Sequence, residues 1–168
     1  MAETKTLNDL FMDSLKDILF AERQILKALP KMARAATSTD LKTAIQSHRD
    51  QTEGQIERLE QIFASMDMAP RGKHCPAIVG ILEEGQEILD EYAGSPALDA
   101  GIIASAQAVE HYEIVRYGTL ATWADLLGLA DASKLLAATL AEEEKTDADL
   151  SKLAKARINT KAMAKAAA

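Results

Sequence analysis

Acidic side chains interrupt the apolar stripes of this chain where a helical protein keeps its core. Between residues 97 and 127, Ile103, Ala106, Tyr117, Leu120, Ala124 and Leu127 recur at the spacing of one helix face, and Glu110 and Glu113 fall on that face. One helix later Asp147 lines up with Leu136, Leu140 and Leu150, with Glu143 or Glu144 one turn before it. Burying an unpaired carboxylate is costly, so acids belong on solvated faces. Acids aimed inward from neighbouring helices require a compensating cation. The economical candidate is a metal pair in the core of a helical bundle.

Periodicity and turn signals divide the chain into five helical segments. The first runs from about Leu7 to Ala35, with Phe11, Leu15, Ile18, Leu19, Glu22, Ile25, Leu26 and Leu29 as its stripe. Pro30 predicts a kink or fray near its end. The turn Thr37-Ser38-Thr39-Asp40 offers N-caps for the second helix, which runs to about Met66. Its inward stripe is Leu41, Ile45, His48, Thr52, Gln55, Leu59 and Ile62. A loop follows over residues 67–76, then a short helix from about Ala77 to Tyr92. The fourth helix spans Ala97 to Leu127. A tight turn leads to the fifth, from about Ser133 to Ala156, capped by Asp131 or Ser133. Residues 1–158 form one domain on this reading, and residues 159–168 a fraying tail.

Loop lengths then predict topology. The first two long helices and the last two have short connections, so each pair is an antiparallel hairpin. The middle connection is long and carries its own helix. Two hairpins joined by one long crossover make the ferritin-like form of the all-α four-helix bundle.

The hairpins allow the polar positions to be brought into register. Reflecting Glu113 and Glu110 through a turn near residue 129 or 130 lands near Thr146 and Asp149. Glu144 and Asp147 lie within a residue or two of those points, an axial offset of only ~3 Å. Reflecting Glu22 through the first turn lands near Glu53, beside Thr52 and one turn from His48 and Gln55. The predicted metal ligands are therefore Glu22, His48, Glu110, Glu113, Glu144 and Asp147. Within the run Glu142-Glu143-Glu144 one residue points inward, and Glu144 is preferred for its i, i+3 relation to Asp147. Carboxylate-rich ligation with one imidazole suits two ions of iron or manganese better than zinc or copper. Tyr117 is a core aromatic able to donate to a ligating carboxylate. His111 lies off the stripe, and His74 and Cys75 sit in a loop without partners.

Composition narrows the function classes. The net charge of -7 argues against duplex nucleic acid. No stretch approaches the ~20 apolar residues that span a bilayer, and the N-terminus does not read as a signal peptide. The single cysteine excludes an internal disulfide and suits the cytoplasm. A homodimer is expected, because symmetric pairs are the commonest oligomers. A small oxidant is the expected reactant for a metal pair.

Four segments carry a resemblance. AERQILKALPKMARAA, HRDQTEGQIERLEQIF, VEHYEIVRYGTL and TLAEEEKTDADL closely resemble the YciE/YciF family of bacterial stress-associated proteins, and the likeness covers about residues 7–156. That family resembles ferritins and rubrerythrins in fold. The resemblance implies a carboxylate-bridged di-metal centre and a dimer. The broader ferritin-like pattern places a Glu-x-x-His on two helices, and this chain has none. Ferroxidase or peroxidase activity therefore does not transfer intact.

Overall fold

The structure, a computed structural model, describes residues 4–164. Helix α1 spans Leu7–Ala35. It opens on a reciprocal cap in which Thr6 and Asp9 satisfy each other's backbone donors. Pro30 lies inside it, and the helix continues for another five residues to Ala35. Helix α2, Thr39–Ser65, is capped by the Ser38 hydroxyl, which accepts from Leu41 N. Helix α3, Pro76–Glu91, starts on proline, whose missing N–H costs nothing in the first turn. Helix α4 spans Leu98–Leu126 and α5 spans Ala130–Leu153. Gly128 makes the turn between them at φ 74, a backbone region that favours glycine.

Two boundaries differ from expectation. The fifth long helix begins at Ala130 rather than Ser133, without a side-chain cap. Ser133 lies inside it and donates to the carbonyl of Ala121, tying the start of α5 to the end of α4. The same helix ends at Leu153 rather than near Ala156, ahead of the expected tail. A π-helical turn, Ala154–Ile158, buries Ala154 and Ile158, and the short helix α6, Asn159–Ala162, follows. The last four residues of that tail lie outside the described residues.

Helices α1, α2, α5 and α4 pack in that cyclic order, and α3 lies against α4 and α1. Side-chain pairings fix direction. Gln55 meets Glu143 while Arg58 meets Thr139, so α2 and α5 are antiparallel. Gln107 meets Asp147 while Ala121 meets Ser133, so α4 and α5 are antiparallel too. Helices α2 and α4 must then run the same way. Their connection has to return the chain along the bundle, which is what the loop and α3 do. The expected all-helical bundle of two hairpins and a crossover is the observed fold.

Buried polar contacts hold the connections in place. The carboxylate of Asp99, in the first turn of α4, accepts from Thr37 N at 2.7 Å, Thr37 Oγ1 at 2.6 Å and Ser38 N at 2.8 Å. It thereby clamps the α1–α2 turn. At the crossover, buried Cys75 places Sγ 3.1 Å from the Tyr112 hydroxyl, which donates to Asp17. Gly72 lies so close to α1 that a Cβ would sit 3.1 Å from the Phe20 backbone.

Asp99→Ala should destabilise the protein by about 2–3 kcal/mol in denaturant unfolding, because two backbone donors lose a charged acceptor. Asp125→Ala, on the exposed side of α4, should stay within about 0.5 kcal/mol of the parent.

Candidate metal centre

Four helices bring acids and one imidazole to the centre of the bundle. Helix α1 contributes Glu22, α2 His48, Thr52 and Gln55, α4 Glu110, Glu113 and Tyr117, and α5 Glu143 and Thr139. All are buried, and Glu22, Glu113 and Glu143 are 0% exposed. The positions follow from stripe geometry. Every residue predicted to point inward from α2 does so. On α4 the two acids replace aliphatic residues midway along an otherwise apolar face.

One donor atom from each of His48, Glu110, Glu113 and Glu143 lies within 4.8 Å of the others. Glu22 completes the group through Glu113, which it faces carboxyl to carboxyl. Glu110 faces Glu143 in the same way. Two facing acid pairs are satisfied only by shared protons or by a cation. With every acid ionised, eight buried side-chain atoms among the described residues have no hydrogen-bond partner. They are Glu22 Oε2, both His48 nitrogens, Gln55 Oε1, Glu110 Oε2, both Glu113 oxygens and Glu143 Oε2. Buried polar atoms are nearly always paired. This concentration of orphaned donors and acceptors fits a cation-binding centre, and its oxygen-rich set with one imidazole fits hard or borderline ions.

The electrostatics agree. Burial pushes the Glu22 carboxyl up from 4.5 to about 8, and the charge of Glu143 adds to it. Burial likewise raises Glu113 well above the ordinary carboxylate range, with Glu22, Glu143 and Glu110 as further causes. Glu110 and Glu143 are raised mainly by burial too. The His48 imidazole is pushed down to about 4 by burial. His48 Nε2 lies 3.3 Å from Glu110 Oε1. That pair is neutral without metal, because burial favours the uncharged form of both partners.

Neighbours orient the acids. The buried Tyr117 hydroxyl donates to Glu22 Oε1, as expected of it. Gln55 Nε2 donates to Glu143 Oε1 and, at 3.1 Å, to Glu142 Oε2. Arg58 in turn donates to both oxygens of Glu142 and to Thr139 Oγ1. Burial alone would raise Glu142, but Arg58 and Gln55 more than offset it and hold Glu142 below its ordinary range. Arg116, the cation closest in sequence to the acids of α4, instead sits over the Tyr112 ring, 5.2 Å from its centroid.

Four of the six predicted ligands, Glu22, His48, Glu110 and Glu113, meet at the centre, and two do not. Glu144 is exposed, and Glu143 takes the inward position. The reason is helical phase. Glu143 is seven residues from both Leu136 and Leu150, within about 20° of each around the helix, whereas Glu144 is turned about 80° from Leu136. Asp147 is the second correction. It is partly exposed, accepts from Gln107 at 2.8 Å and lies 3.3 Å from His111 Nε2. It belongs to the outer seam between α4 and α5. Arg58 and its partners were not anticipated, although Arg58 stands three residues after Gln55.

Fold and centre together define a helical-bundle protein with a buried histidine–carboxylate cluster. The chain belongs to the family described as a domain of unknown function, DUF892, matched over residues 6–163. It is 44% identical over 163 residues to Protein YciF of Escherichia coli strain K12, spanning 96% of this chain and 98% of that one. The solved structure of the E. coli stress protein YciF superposes with a TM-score of 0.88 at 43% identity, covering 93% of this chain and 99% of that one. A Rhodopseudomonas palustris protein, YcfI, described as a candidate structural protein, superposes with a TM-score of 0.86 at 47% identity, over 89% of this chain and 96% of that one. The resemblance read from the four segments thus holds over nearly the whole chain.

Four raised carboxyls give the metal-free protein a distinctive pH response. The folded state holds these protons more tightly than the unfolded chain, so stability is lost as pH rises above 4.5 towards the folded values. His48 acts oppositely, but only between about 4 and 6.5. Above 6.5 the acids act alone. Chelator-treated protein should lose on the order of 1 kcal/mol per pH unit for each retained proton between pH 6.5 and 8, read by denaturant unfolding.

Proposed function

We propose that the buried cluster binds two ions of iron or manganese, and that this protein is a stress protein that uses them against a small oxidant, oxygen or peroxide. The observation that carries the reading is the set of orphaned buried atoms on His48, Glu110, Glu113, Glu143 and Glu22. When bound, a metal pair would supply Lewis acidity and electrons for reaction with an oxidant. The chain's own residues do the rest. Glu113 and Glu143, each facing the carboxyl of its pair member and close to one another, would hold the ions from α4 and α5. Glu22, His48 and Glu110 would complete the ligand set. Tyr117 keeps Glu22 in place, and Gln55 keeps Glu143 in place. Bound ions would take the place of protons held by the facing carboxyl pairs.

A second reading is metal binding without turnover, in a structural stress protein. It is favoured by the single cysteine, which leaves no paired-thiolate electron donor, and by the description of the R. palustris relative. Steady-state consumption of peroxide or oxygen with an added reductant separates the two. The protein is also proposed to work as a homodimer. The outer face of α4 supports this, because Ala104, Ala108, Val115, Thr122 and Leu126 are exposed there and uncharged. Native mass should then be twice 18.2 kDa. A reducing compartment such as the cytoplasm suits the free, buried Cys75, and among the described residues no helix is long and apolar enough to cross a membrane.

Anomalous scattering at the iron and manganese edges, on protein purified without chelator, tests the site. Peaks are expected in the parent and in Glu144→Ala, and their loss in Glu143→Ala and Glu113→Ala. A parent centre without peaks after soaking in both metals overturns the reading.

A further inference from the structure

Beside the cluster lies a small cavity of about 20 Å3, with His48 and Glu110 on its inner wall. Its other walls are almost wholly apolar: Ile25 and Met32 from α1, Leu82 from α3, Ala106 and Val109 from α4. A void of this size admits one small molecule and little more. Ala44, Thr146 and Leu150 line it on the side of α2 and α5. The same three residues line a surface groove of about 110 Å3, together with Ser47 and Lys145. Two short side chains, Ala44 and Thr146, are thus part of the partition between the cavity and solvent, and both are partly exposed. On the side of α1 and α3, Ala28 and Leu82 likewise line both the cavity and the neighbouring grooves, and Leu29 and Ile45 stand between it and a third.

We propose that this cavity, with His48 and Glu110 on its inner wall, is a binding site for one small, neutral, apolar molecule of the size of dioxygen. The choice between oxidants follows from desolvation. Hydrogen peroxide carries two O–H donors, and the apolar walls offer them nothing before His48 and Glu110. A polar group that leaves water for an apolar medium without a new partner does so at a large cost. Dioxygen has no hydrogen bonds to lose. Apolar cavities that stay dry take up apolar guests of matching size. The identification of dioxygen as the physiological guest rests on the metal reading above. The existence of the apolar site does not.

Xenon, an apolar probe of comparable size, separates the two. Crystals of metal-free protein pressurised with xenon should show one peak bounded by Ile25, Leu82, Ala106 and His48. The peak should be lost in Ala106→Met, whose longer side chain fills the space, and should persist in Val115→Ala on the outer face of α4. Absence of xenon from the parent cavity, or a peak undiminished in a folded Ala106→Met protein, overturns the proposal while leaving the metal centre standing. In protein loaded with ferrous iron, Ala106→Met should slow oxidation of the iron by dioxygen several-fold and leave oxidation by added peroxide unchanged. Equal slowing with both oxidants contradicts the choice of dioxygen.

Discussion

Four glutamates buried at one level of an apolar bundle are the constraint around which this protein is organised. Each ionised carboxylate moved from water to the core costs several kcal/mol even after relaxation. Like charges in the same low-dielectric space add to that cost. The metal-free chain meets it by keeping protons on acids that would otherwise be ionised at neutral pH, in facing pairs of Glu22 with Glu113 and Glu110 with Glu143. The arrangement is compact, it reduces the buried charge, and it leaves oxygen atoms without partners. Cations replacing those protons satisfy more of the same atoms.

The rest of the fold secures that geometry. The ends of the bundle are clamped by contacts that do not touch the cluster: Asp99 at the α1–α2 turn and the Cys75–Tyr112–Asp17 chain at the crossover. Closer in, charge is graded across one turn of α5. Glu142 keeps its charge because Arg58 lies beside it. Glu143, one residue on, is buried, and burial raises its carboxyl. Gln55 bonds to both and so links the half-solvated ion pair to the centre. A change at Arg58 would therefore reach Glu143 through three hydrogen bonds, by way of Glu142 and Gln55.

Much of this was legible from single residues. Helix α2 carries polar or charged residues around a narrow apolar stripe, so every inward residue, including His48, Thr52 and Gln55, could be read from spacing. Glu22, Glu110 and Glu113 stood out for the same reason. Helix α5 was harder. Its outer face carries Ala137, Ala138, Ala141 and Ala148, all exposed. Alanine on both sides blurs the boundary between core and surface, so the phase was set by Leu140 and Asp147 rather than by the heptad through Leu136, Glu143 and Leu150. The error was one residue, and one residue turns a helix by about 100°. The contacts of Arg58 and Gln55 with α5 join positions more than eighty residues apart, and a single sequence carries no signal for such a pairing.

Isothermal titration of chelator-treated protein with ferrous or manganous ion, repeated in buffers of different ionisation enthalpy, addresses the central claim most directly. If the buried acids hold protons that cations replace, ion binding at pH 7 releases protons, more than one per ion, and the release disappears with the binding in Glu113→Ala. Binding without proton release, or no binding at all, would contradict it.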